Sequence, residues 1–148
     1  METGVENWVQ RKVDELKERE RLRSLENERI VIESRLRRHH APRLFVRLKD
    51  WLKQACTQTN SEMKRDVFLF ELVPQSQVTI RRLNSRRILQ IVYDPDAQRI
   101  YYKAGNDSGE YLFLVQADST VALGKESGVL YSVEDVGGKL LDLLLYPS

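Results

Sequence analysis

His39, His40 and Cys56 are the side chains best suited to hold a transition metal or to act as a nucleophile–base pair. Their spacing argues against both. Neighbouring histidines on a helix point about 100° apart, whereas metal-binding pairs favour a separation of three or four. A helix beginning near Pro42 would carry Cys56 about 14 residues along its axis, roughly 20 Å at the helical rise. A structural zinc ion needs about four ligands, and one chain cannot gather even these three. No metal and no other cofactor is expected. The sequence has no nucleophile elbow, no phosphate-binding glycine loop and no H-E-x-x-H pair. Lys53 stands one helical turn before Cys56 and would lower its pKa slightly. Asp94, Asp96 and Asp107 fall where turns want a carboxylate. No catalytic residue is nominated, and an enzyme with an unrecognised cleft is only the third reading.

A different chemistry surrounds the histidines. Residues 35–53, RLRRHHAPRLFVRLKDWLK, hold Arg35, Arg37, Arg38, Arg43, Arg47, Lys49 and Lys53 against Asp50 alone, a balance of +6. A basic helix face can neutralise phosphates and gives salt-dependent nucleic-acid binding. Two helices at a short turn have the bare outline of a helix-turn-helix, but that motif needs a compact three-helix support. Tyr101, Tyr102, Tyr111 and Phe113 could stack bases, yet a simple meander lacks the crossover helices of the common RNA-binding sheet. Nucleic-acid binding through 35–53 is therefore the alternative function.

The elements carrying these residues follow from pattern. Residues 5–38 contain no Gly or Pro and are rich in Glu, Arg, Leu and Lys, which favours helix. Glu15–Arg19 and Glu33–Arg37 have supportive spacing. Val5, Val9, Val13 and Leu16, with Trp8 beside them, form one apolar stripe. Leu22, Leu25, Ile32 and Leu36 form a second at heptad spacing, with Arg29 in its gap. The stripes are out of phase across residues 17–21. Pro42 disfavours helix at Ala41 and suits the start of a new one. A second helix is thus expected from Pro42 to Ala55, with Leu44, Phe45, Leu48, Trp51, Leu52 and Ala55 on one face. Residues 57–62 read as its exit loop.

From Asp66 the period changes. Segments 67–73, 77–83, 86–93, 99–104, 110–116 and 120–124 are short and rich in β-branched and aromatic residues. Turn residues separate them: Pro74-Gln75-Ser76, Asn84-Ser85, Asp94 to Gln98 and Gly105 to Gly109. Such short links force antiparallel neighbours. Apolar residues on both faces of segments 86–93 and 110–116 imply that the second face is at least partly covered. The tail reads as a helix capped by Ser132, with Asp135 three residues on. Gly137–Gly138 inside it cost about 2 kcal/mol relative to alanine, and mark a close approach or a break. The expected fold is α+β: an N-terminal helical pair, an antiparallel β-meander of five or six strands, and a C-terminal helix. The expected division is a helical arm or hairpin over 1–60 and the meander with its helix over 61–148.

The totals narrow the function. Residues 1–65 carry a balance of +5 and residues 66–148 a balance of −3, so the halves present different surfaces. No run reaches the ~20 apolar residues of a membrane span. The N-terminus has no apolar signal region, and a single cysteine fits a reducing compartment, so a cytoplasmic location is expected. A long charged helix with thin apolar stripes buries itself poorly alone. Trp8, Leu25, Ile32, Leu36, Phe45 and Trp51 are the candidate interface residues, the aromatic ones being of the kind that carry interface energy. The expected function is a non-catalytic protein–protein interaction or adaptor role, homo-oligomeric through the helical arm. The expected partner is a second copy or another protein.

Overall fold

A computed structural model describes residues 4–73 and 76–146. Pro74 and Gln75 of the first expected turn lie outside them. The chain comprises helix α1 (Gly4–Met63), strands β1 (Phe68–Val73), β2 (Gln77–Arg82), β3 (Ile88–Asp94), β4 (Arg99–Ala104), β5 (Asp107–Val115), β6 (Val121–Gly124) and β7 (Leu130–Tyr131), and helix α2 (Val133–Leu145). It divides into two units between Arg35 and Leu36.

The helical pair is a correction. Pro42 stands inside one continuous helix. It removes a single donor, the one that would reach the carbonyl of Arg38, at about 3 kcal/mol. Ala41, Phe45, Leu48, Leu52 and Cys56 form one stripe that starts before the proline and continues beyond it, each at most 2% exposed. Burying Phe45, Leu48 and Leu52 is worth roughly 1.5–3 kcal/mol each, which outweighs the proline. The expected exit loop, 57–62, is helical for a related reason. Asn60 remains on α1 and clamps the start of β1: its Oδ1 accepts from the Val67 and Phe68 amides at 2.8 and 3.0 Å, and its Nδ2 donates to the Phe68 carbonyl at 2.9 Å. The helix ends where Lys64 turns left-handed (φ 55°), its amide donating to the Ser61 carbonyl and that of Arg65 to the Asn60 carbonyl.

The sheet has seven strands rather than five or six, in the order β1 to β7, each antiparallel to the next. The additional strand, β7, has two residues and no periodicity to betray it. β5 also begins earlier than expected, at Asp107. A two-residue link, Gly105–Asn106, joins it to β4, with Gly105 at φ 61°. Opposed residues share a face of an antiparallel pair. The register Phe70–Ile80–Leu89–Ala104 and the register Tyr93–Ile100–Tyr111 therefore define one apolar face. Val78, Ile80, Leu89, Ile91, Ile100, Tyr111 and Phe113 on it are all buried.

The helical segment from Ala41 and α2 both lie on that face. Phe45 stacks on Tyr93 with centroids 5.3 Å apart, and Tyr93 meets Phe113 edge-on at 5.8 Å. Ser132 caps α2 by accepting from the Asp135 amide at 3.0 Å. No basic residue occupies the last turn of α2. Arg82 and Arg87 of the β2–β3 hairpin supply that charge instead, donating to the carbonyls of Leu143, Leu144 and Leu145. On the opposite sheet face Ile88, Val92, Leu112 and Leu114 are half-buried, while Leu69, Tyr101 and Leu130 are exposed.

The glycine pair of α2 is helical, and its members differ. A Cβ on Gly137 would collide with the six-membered ring of Trp51, whereas one on Gly138 would meet nothing within 4 Å. Gly137→Ala is expected to destabilise by about 1–3 kcal/mol through overpacking. Gly138→Ala should stabilise by up to about 1 kcal/mol through helix propensity. Urea denaturation of the two variants checks the pair, and equal effects would contradict the close approach of Trp51.

Candidate interaction surfaces and a lysine–tyrosine pocket

In the first unit the helix is exposed along its length. Val5, Trp8, Val9, Val13, Leu16, Leu22, Leu25, Ile30, Val31 and Ile32 are between 37% and 71% exposed. Its ion pairs are local: Lys12 with Glu15 at 3.2 Å, Arg21 with Glu18, and Arg29 with both Glu26 and Glu33. Glu15 and Glu33 thus find Lys12 and Arg29, not Arg19 and Arg37. The Arg21 hydrogen bond holds the Glu18 carboxyl below its usual range, and Arg29 does the same to Glu26. Residues 4–35 carry eight basic and eight acidic side chains, so this segment is electrically balanced.

The basic excess lies elsewhere. Residues 36–65 carry eight basic and two acidic residues. Arg37 donates to Gln98 at 2.9 Å, and Lys49 lies 5.2 Å over the Phe45 ring. Arg35, Arg38, Arg43, Arg47 and Lys53 are exposed. Among the interface candidates, Trp8, Leu25 and Ile32 are exposed, Leu36 is half-buried, Phe45 is in the core, and Trp51 is half-buried against Gly137.

The rings of His39 and His40 meet each other edge-on at 4.8 Å. Among the described residues no three His, Cys, Asp or Glu side chains converge as a metal site would require. No helix there is long and apolar enough to cross a membrane. Asp94 does what its turn position suggested: its Oδ1 accepts from the Asp96 and Ala97 amides at 3.0 and 3.1 Å.

One constellation had no signature in the sequence. The β4–β5 register sets Tyr102 opposite Gly109, where a Cβ would strike the tyrosine hydroxyl. Tyr111 contacts Tyr102 at 5.5 Å and Tyr131 at 5.9 Å. Lys125, just after β6, lies 4.0 Å over the Tyr111 ring, and its Nζ donates to the Glu110 carbonyl at 2.7 Å. Lys139 of α2 lies 4.0 Å over Tyr131. Burial, with Tyr102 and Tyr131 adding to it, pushes the Tyr111 phenol up to about 12. These groups are scattered over residues 102–139, and only strand register and helix docking assemble them.

Cys56 is buried, and burial pushes its thiol from 9.0 up to about 12. The slight activation expected from Lys53 is overridden by desolvation. Between those values the unfolded thiol is ionised while the folded one keeps its proton, so stability falls as pH rises from 9.0 to about 12. Cys56 should resist thiol reagents at about pH 8 until the chain unfolds. Modification of the native protein at the denatured rate would contradict this burial.

No protein-family model matches the chain, and neither a curated protein nor a solved structure resembles it significantly.

Proposed function

We propose that this protein is a non-catalytic association module that pairs with a second copy through the helix of residues 4–35. The supporting observation is the row of ten large apolar side chains from Val5 to Ile32, every one at least 37% exposed. A helix with so much apolar surface in water gains most by burying it against a partner. Leu22, Leu25, Arg29 and Ile32 follow the three–four–three spacing of a coiled-coil seam. Arg29 in that seam is a polar register device of the kind that fixes alignment between helices. Charge balance over residues 4–35 favours a like partner, since two such helices do not repel.

Light scattering on the full chain at roughly micromolar to millimolar concentration is expected to give a dimer. Leu25→Glu with Ile32→Glu should shift it to monomer, with the spectrum of the sheet unit unchanged. A full chain that stays monomeric throughout that range sinks the reading.

A second reading rests on the basic segment. Arg38, Arg43, Arg47 and Lys53 are exposed, and no ion pair joins them to a carboxylate among the described residues. Such a surface would bind single- or double-stranded nucleic acid through phosphates. The log of affinity should then fall with log salt at a slope of about −0.7 to −0.9 per phosphate contacted. Reversal of these four residues to Glu should abolish binding; equal binding by that variant excludes the segment as the contact.

A further inference from the structure

A cavity of about 350 Å³ opens between α2 and the sheet, walled by Tyr102, Tyr111, Leu140 and Leu143, with Lys125 and Lys139 reaching into it. That is near the lower end of small-ligand pockets, which run from about 300 to 1,000 Å³. Tyr102 and Tyr111 in ring contact on the cavity wall, with Tyr131 against Tyr111 behind them, would ordinarily suggest a cage for a cationic ligand. Here one face of each ring is already taken by one of the chain's own ammonium groups. Lys125 sits 4.0 Å from the Tyr111 centroid and 5.1 Å from that of Tyr102, and Lys139 sits 4.0 Å from that of Tyr131. The sign of the ligand is thereby inverted.

The lysines have unspent capacity. Lys125 is half-buried, and its bonds go to a neutral carbonyl at 2.7 Å and to the Tyr102 hydroxyl at 3.5 Å. An ammonium has three donors, so one remains. Neither Lys125 nor Lys139 makes an ion pair among the described residues. Asp142 borders the same cavity, three residues after Lys139 on α2, which leaves two cations against one anion. The walls are flat rings and leucine side chains, surfaces that accept an apolar body and not a free inorganic ion.

We propose that this pocket binds a small aryl anion, a carboxylate or phosphate carried on a flat ring, with Lys125 and Lys139 holding the charge and the tyrosine and leucine walls holding the ring. Lys125 reaches the anion from just after β6, and Lys139 closes on it from the middle of α2. Gly109 leaves the space in which the Tyr102 ring lies. The site belongs wholly to the second unit and is independent of pairing through the first.

The test is an amide NMR titration of the full chain with benzoate and with phenyl phosphate. Inorganic phosphate and benzylammonium serve as controls for charge without ring and for ring with the wrong charge. Saturable shifts centred on Tyr102, Tyr111, Lys125 and Lys139 are expected with at least one aryl anion, and the tighter of the two identifies the head group. Replacing both lysines by Met should weaken binding about tenfold or more, the loss appropriate to charge-assisted hydrogen bonds. Lys139 is exposed, so Lys139→Gln gives the same direction of effect without risk to the fold. Absence of saturable shifts with both aryl anions at roughly 10 mM overturns the proposal. So does equal binding of benzylammonium or of inorganic phosphate, or full binding by the lysine variants.

Discussion

The larger unit depends on the contact between one helical stripe and one sheet face. Ala41, Phe45, Leu48, Leu52 and Cys56 repeat at helical spacing and are almost wholly buried against a sheet whose own inward residues are equally buried. Burial is non-directional and roughly proportional to area, so a long continuous stripe wins over a local defect. That is why Pro42 does not end α1. Proline acts on one hydrogen bond, while the stripe acts over four turns.

Other features of the fold are consequences of holding that stripe in place. Asn60 gives the edge strand β1 three hydrogen bonds at its start, fixing where the sheet meets the helix. Gly137 lets α2 approach Trp51, so the two helical segments share the same sheet face. Arg82 and Arg87 satisfy the end of α2 from the adjacent hairpin, because that helix has leucines where a cation would otherwise stand. The arginine-rich β2–β3 turn is thus in part a capping device, through Arg82 and Arg87.

The same physics separates the two ends of α1. Both are helical by composition, with few apolar residues per turn. In the second unit a sheet takes up the apolar side chains; in the first, side chains of the same kind are exposed. Charge follows this division, balanced over residues 4–35 and basic over 36–65. The reading of the first segment as a surface for association and the second as a surface for anions rests on this contrast.

Much of the fold was legible because it is local. Period-two segments, Asp94 and Gly105 turns, and the Ser132 cap each depend on residues within a few positions of one another. Which face of the sheet turns inward was not legible: Leu89, Ile91 and Tyr93 alternate with Ile88 and Val92, both sets are apolar, and only docking of the helices buries the first set. The two-residue β7 carried too few positions for a pattern, and Gly137 and Gly138 look identical until Trp51 is placed beside one of them.

By itself the sequence determined the class of most segments, the absence of metal-ligand spacing around His39 and His40, and the antiparallel order forced by short links. Only the tertiary structure decided that Pro42 is carried within a helix, that Cys56 is a core thiol, and that Lys125, Lys139, Tyr102 and Tyr111 meet at one cavity. Spacing along the chain reports what neighbours can do together. Burial and long-range register depend on surfaces that exist only after the helix and sheet have met.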